Sequence, residues 1–333
     1  MDQKGAVRTK YGTRDELLSA AAEARQAGIQ IYWDVVLNHR MGGDEEEEFP
    51  ATPYNDENRR EQIGESRNIR NHTHFTFPGR RKKYSGMEWL DHVRNYAKRK
   101  IFAVGEYWSY EIEALHHFIT VTNGDVALFD APLHRNFSDA SKAGSSFDMS
   151  NIFENTLVRN EPALAVTLVA NHDTQPLQAL ESVVEEWFKP LAYSLILLRR
   201  EGYPCVFYAD YYGASYEDVG RDGNTYAIEI LCHRKTIDDL IRIRNSHAYG
   251  DQYDYFDHSN TVGWTRLGTE EHPGGLAVVL SNGEAGTKHM ETSLKNHEFY
   301  DALGNRDEVI HTDDKGWAEF RCNAGSVSVW LPR

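Results

Sequence analysis

"LAVTLVANHDTQP" runs from Leu164 to Pro176, and its reading decides the fold. The apolar, β-branched run is what a strand buried on both faces requires. It ends in Asn171-His172-Asp173, three polar groups that are expensive to bury and useful to chemistry. Other apolar runs end the same way: "VVLNH" at Asn38-His39, "FAVGE" at Glu106, "VALFD" at Asp130 and "VFYAD" at Asp210. One strand ending in Asp means little, because Asp also starts turns. Repeated endings of this kind fit parallel α/β sheets, and above all (β/α)8 barrels, where ligands sit at the carboxyl ends of the strands.

Helices separate these runs. "TRDELLSAAAEARQAG" carries a capping box at Thr13 and Glu16 and a stop at Gly28. "IQIYWDVVLNH" follows as a predicted buried strand. Residues 40–85 then read as a polar excursion, with Glu45–Glu48 a solvated loop and the basic "GRRKK" near its end. Alternation resumes with "GMEWLDHVRNYAKRK" (helix), "IFAVGEYW" (strand), "YEIEALHHFITV" (helix) and "DVALFDAP" (strand). After "LAVTLVANHD" come "WFKPLAYSLILLRREG" (helix, closed by Gly202), "YPCVFYADYYG" (strand) and "AIEILCHRKTIDDLIRIRNS" (helix). Beyond Ala248, short alternating runs bounded by Gly, Asn and Asp predict an all-β module. The expected domains are a barrel part at 1–39, an excursion at 40–85, the rest of the barrel at 86–248 and the β module at 249–333.

Composition narrows the chemistry. Fifty-one acidic against thirty-six basic residues leave a formal charge of −15, which disfavours nucleic acid and anionic membrane as partners. No apolar run reaches the roughly 20 residues of a membrane span. Three widely spaced cysteines and a start without an apolar signal segment point to the cytoplasm, with secretion the alternative if a signal segment precedes this start. His72 and His74 could face one metal, but two ligands without carboxylate support are weak grounds for a site. Carboxylates and imidazoles beside 12% aromatics suit glycoside cleavage, in which an acid protonates the leaving oxygen and a second carboxylate lies roughly 5–5.5 Å away in the retaining case. Tyr107 and Trp108 are candidates for stacking on sugar faces.

"DVVLNH" (Asp34–His39), "AVGEYW" (Ala103–Trp108) and "ANHDTQP" (Ala170–Pro176) resemble three of the four signature regions of the alpha-amylases, retaining hydrolases of α-1,4-glucans such as starch, glycogen and maltodextrins. "HFTFPGR", "WFKPLAY", "YDYFDH" and "GSVSVWL" extend the likeness to the liquefying, bacterial-type subgroup, also found in fungi. The resemblance implies that Glu106 is the general acid/base and Asp173 the carboxylate that stabilises the oxocarbenium-like transition state. It places Asp34, His39, Trp108 and His172 around the sugar, and Asn38 on a structural calcium. Asp130 and Asp210 are expected to be structural.

One departure is large. The family's nucleophile is an aspartate in a stretch of the form G-F-R-x-D at the end of the fourth barrel strand, and this sequence has no such stretch. "RRKKYS" runs directly into "GMEWLDHVRNYAKRK", which resembles the helix after that strand. The expectation is an α/β chain: an incomplete (β/α)8 barrel lacking its first, second and fourth strands, followed by a C-terminal antiparallel β-sandwich. Five strands do not close a barrel and leave edges open. Hydrolysis should be very weak or absent, the alternative being a remnant that is inert or only binds glucan, monomeric if folded.

Overall fold

The computed structural model describes residues 12–35, 45–51, 62–74 and 86–333. They fall into two compact units, one whose described residues end at Arg99 and one running Lys100–Arg333.

In the first unit, α1 (Arg14–Gln26) starts at the capping box: Glu16 N–H donates to Thr13 Oγ1 (3.3 Å) and Thr13 N–H to Glu16 Oε2 (2.7 Å). The helix buries none of its residues. Local terms therefore hold it, and Thr13→Ala should weaken it by about 1 kcal/mol, read as roughly fivefold faster amide exchange within α1. Unchanged exchange would show that the cap contributes nothing.

The buried strand expected from Ile29 is not formed over its described part. Residues 29–35 are irregular, and Ile29, Ile31, Tyr32 and Trp33 are exposed, Trp33 at 71%. A strand needs hydrogen-bonded neighbours, and the unit's described strands, β1 (Glu45–Ala51) and β2 (Arg67–His74), pair with each other. That pairing corrects a second expectation. Glu45–Glu48 lie within β1, in antiparallel register from Glu45↔His74 to Ala51↔Arg67, with an irregularity between Glu47 and Phe49. Strand preference follows context, and a partner strand overrides the poor propensity of glutamate. α2 (Gly86–Ala97) forms where its spacing predicts.

The second unit begins as parallel α/β. β3 (Val104–Gly105), α3 (Ile112–Val121), β4 (Ala127–Phe129), α4 (Ala131–Ala143), α5 (Leu157–Asn160), β5 (Ala165–Leu168), α6 (Lys189–Leu198) and β6 (Tyr203–Cys205) follow one another. The strands are neighbours in the order β3-β4-β5-β6, all parallel. Every residue of β5 is buried, which is why its sequence is an unbroken apolar run. Gly105 is set by close approach: a Cβ there would lie 3.0 Å from Leu128 Cδ2 and 3.2 Å from Val126 Cγ1.

Two further expectations are corrected. The chain leaves the sheet after Cys205 and coils into α7 (Tyr208–Tyr212), so Asp210 sits in a helix and not at a strand end. The helix expected from Ala227 begins only at α8 (Arg234–His247); before it, β7 (Ala214–Val219) pairs antiparallel with β8 (Thr225–Ile230). The period of two was legible there, since Ile228 and Ile230 are buried and Glu229 is exposed.

From β9 (Gln252–Tyr255) the chain is strand and turn, with β10 (Thr261–Arg266), β11 (Leu276–Ser281), β12 (Gly286–Glu291), β13 (Glu298–Asp301), β14 (Val309–His311), β15 (Trp317–Cys322) and β16 (Ser326–Pro332). Six of them form a sheet ordered β14-β13-β16-β11-β10-β9, and β12 pairs with β15, all antiparallel. Sheet and ribbon share a core in which Val279, Phe299 and Trp330 meet Met290 and Phe320. Arg199, just past α6, fastens this module to the parallel part. Its Nη1 and Nη2 donate to Asp254 Oδ1 and Oδ2 (2.6 and 2.8 Å), and its guanidinium lies 4.6, 5.3 and 5.8 Å from the rings of Phe153, Phe256 and Trp264.

Candidate active site

Because β3 to β6 are parallel, their carboxyl ends share one edge, and Glu106 and Asp173 both follow strands there. The turn after β5 is built by Asn171. Its Oδ1 accepts from Asp173 N–H (3.0 Å) and Thr174 N–H (2.9 Å), while Thr174 Oγ1 accepts from Asn171 N–H (2.9 Å). An Asx side chain thus fixes the backbone and leaves the next two side chains outside. His172 and Asp173 have 73% and 36% of their side chains exposed, with His172 Nε2 3.7 Å from Asp173 Oδ1. The loop closes on itself, Leu180 N–H donating to Asp173 O and Ser182 N–H to Thr174 O, both at 3.0 Å.

Glu106 is exposed at the end of β3. The aromatic residues beside it turn inward. Tyr107 stacks on Phe118 of α3 at 5.0 Å. Trp108, only 8% exposed, packs with Ala131 and Leu168. The structure thus gives Trp108 core packing instead of the open sugar-stacking face expected of it.

Beneath the edge, Asp130 is fully buried and caps two helices. It accepts from Leu133 N–H (3.1 Å), Leu157 N–H (3.1 Å) and Val158 N–H (2.7 Å). Burial pushes its carboxyl up to about 6, against the pull of those three amides. The folded chain therefore holds this proton more tightly than the unfolded chain. The group's contribution to stability is full below about pH 4 and is lost as pH rises through about 6. Asp130→Asn should flatten the stability curve across that window by about 3 kcal/mol, measured by urea unfolding at several pH values. An unchanged slope would refute the assignment.

A residue that the sequence did not mark lies between these parts. His134 of α4 is fully buried, with Nδ1 2.8 Å from Val169 O and Nε2 2.7 Å from Ser182 Oγ. Burial pushes its pKa down to about 4, and the Lys142 and Arg135 charges add to that. Nothing in "DAPLH" announces the role, because one His on an apolar helix face is an ordinary core residue.

Behind the turn, a hollow of about 190 Å³ is lined by Ala170, Thr174, Phe207, Lys189 and Asp210. Lys189 Nζ lies 2.7 Å from both Asp210 Oδ1 and Glu186 Oε1, and Tyr193 Oη donates to Asp210 Oδ2 (2.7 Å). His233 Nε2 is 2.7 Å from Glu186 Oε2. Burial alone would raise Glu186, yet His233 and Lys189 together hold it below the usual carboxylate range. Asp210 is thus committed to the core.

Of the residues expected from the first unit, Asp34 is exposed in the irregular segment. Asn38 and His39 lie outside the described residues, as does the stretch Arg80–Ser85 before α2. Among the described residues, no group of three His, Cys, Asp or Glu side chains could hold a metal ion. No helix described is long and apolar enough to cross a membrane.

Residues 276–331 match the family model described as Alpha-amylase C-terminal. Over the whole chain, an alpha-amylase of Geobacillus stearothermophilus is 39% identical in an alignment of 427 residues, spanning 100% of this chain and 76% of that protein. The chain belongs to the alpha-amylase family. A cytoplasmic alpha-amylase of Escherichia coli (strain K12) is 38% identical across 99% of this chain and 86% of its own length. A glucan 1,4-alpha-maltohexaosidase of Bacillus sp. (strain 707) is 34% identical across 99% and 80%. An Anoxybacillus alpha-amylase structure superposes with a TM-score of 0.53 at 15% identity, covering 74% of this chain and 55% of that one. The Geobacillus thermoleovorans alpha-amylase complexed with acarbose gives 0.53 at 16%, covering 74% and 56%. This alpha-amylase family member thus shares their fold, over little more than half of each of those two structures.

Proposed function

We propose that the chain is an alpha-amylase-type glycoside hydrolase of α-1,4-glucans whose hydrolysis is crippled by the missing nucleophile segment. The observation that carries the reading is the shared sheet edge: Glu106 follows β3 and Asp173 follows β5 of one parallel sheet, in motifs that resemble the family's. Glu106 would protonate the glycosidic oxygen, Asp173 would stabilise positive charge on the departing sugar, and His172 would donate to a hydroxyl. Asp34 and His39 are sugar-contacting candidates by the resemblance alone. Asn38 would ligate a structural calcium, as the resemblance implies.

The shortened core has its own support. The Geobacillus alignment runs over 427 residues although this chain has 333, so part of the relative has no counterpart here. With no G-F-R-x-D stretch in the sequence, we place the internal break at Ser85–Gly86, within a (β/α)8 barrel short of strands. The same absence favours a second reading, a remnant that binds glucan without cutting it. The acidic charge argues against nucleic acid, and the likeness to a protein named as cytoplasmic favours that compartment.

Calorimetric titration with maltoheptaose tests the common part of both readings. Binding is expected, with His172→Ala and Asp173→Asn each weakening it roughly tenfold, the loss of one hydrogen bond to a charged or neutral partner. No heat at millimolar sugar would sink both.

A further inference from the structure

His134 takes no part in the chemistry just proposed, yet its ring meets both legs of the loop that carries His172 and Asp173 and the Trp108 ring beside Glu106. Val169 O, on one side, ends the buried run just before the Asn171 turn. Ser182, on the other, closes the return leg, which is already tied to the turn through Leu180 and Thr174. Against its face stands Trp108, two residues beyond Glu106, with ring centroids 5.6 Å apart.

We propose that His134 is a positioning residue that fixes the 170–182 loop, and with it His172 and Asp173, against the strand end that carries Glu106. The proposal rests on the assignment of those residues as the glucan site. Hydrogen-bond chemistry specifies how the ring works. A carbonyl oxygen only accepts, so Nδ1 carries the proton that Val169 O receives. In the neutral ring Nε2 is then a lone pair, and the Ser182 hydroxyl must donate to it. Leu180 O also lies 2.8 Å from Ser182 Oγ, but one hydroxyl has one proton, and among the described residues the imidazole has no other donor in reach. Both legs of the loop are thus bound to one rigid five-membered ring. The loop cannot slide along α4 without breaking two buried hydrogen bonds together, and neither group could turn to water instead.

The test uses the full chain and hydrogen exchange read by peptide mass. His134→Phe keeps a ring against Trp108 and removes both bonds. His134→Asn retains a donor towards Val169 O, and Ser182→Ala releases the second leg only. Exchange across residues 169–183 should accelerate at least roughly tenfold in His134→Phe and less in the other two, while β10, β11 and β16 stay unchanged. Maltoheptaose affinity should fall in the same order. If 169–183 does not change, or changes only in step with the C-terminal sheet, His134 is ordinary core packing and the proposal is overturned. Should His134→Phe fail to fold, the other two variants carry the same comparison. Wild-type protein that binds no maltoheptaose but shows the expected exchange pattern would remove the glucan reading and leave the positioning role standing.

Discussion

Purified as written, the chain is expected to release reducing ends from soluble starch on the order of 10⁶-fold more slowly than a family member with all three carboxylates, by analogy with removal of a hydrolase nucleophile. An acid alone can protonate the leaving oxygen, but capture of the sugar carbon then falls to water that nothing has positioned. Among the described residues, neither Asp130 nor Asp210 can stand in for the nucleophile. Asp130 is fully buried and caps α4 and α5, and Asp210 is paired with Lys189 in the core. On the proposed reading, Asp173 already has the third role. Inserting a strand that carries an R-x-D nucleophile between Ser85 and Gly86 should raise turnover, and Glu106→Gln should then abolish the gain. Starch cleavage by the chain as written, lost on Glu106→Gln, would overturn the expectation.

The second large effect concerns stability. Lys189 and Asp210 are 4% and 1% exposed, 2.7 Å apart, so each is an ion that the fold has taken out of water. Replacing Lys189 by Met strands the Asp210 charge with only the Tyr193 hydroxyl beside it. About 3–5 kcal/mol of folding stability should go, seen as a lower urea midpoint. Lys189→Met with Asp210→Leu should lose much less than Lys189→Met alone, because no unpaired charge remains. A single variant within about 1 kcal/mol of wild type would mean that water reaches the pair.

How far the sequence can be read depends on what each feature needs. β5 and α6 were legible because full burial writes an unbroken apolar run, and α3 and the antiparallel module because a buried face writes a period. The Thr13 cap was legible because it is local. Ile29–Trp33 misled: a β-rich run predicts a strand only where neighbours wait to pair with it, and propensity is silent about neighbours. The four glutamates of β1 misled in the opposite sense. Glu106, His172 and Asp173 stood out as polar endings of apolar runs. His134 did not, because a residue that acts through two partners 35 and 48 positions along the chain leaves no pattern of its own, and Lys189 did not, because its buried partner Asp210 is named only by the fold. Trp108 was read as a sugar platform by composition, and only packing could show it turned inward.

The Arg199 cage has a consequence for how this protein could be taken apart. Composition draws a boundary near Tyr249, which invites cutting the β module free or grafting it onto another enzyme. Mechanically the seam runs elsewhere, since the guanidinium belongs to the end of α6 and Phe256, Trp264 and Asp254 to the β module. A cut at Tyr249 would leave the cation with Phe153 and Glu201 on one fragment and three further residues shaped for it on the other. A transplant that kept the module's sequence but not an arginine at that place would inherit a socket with nothing to fill it.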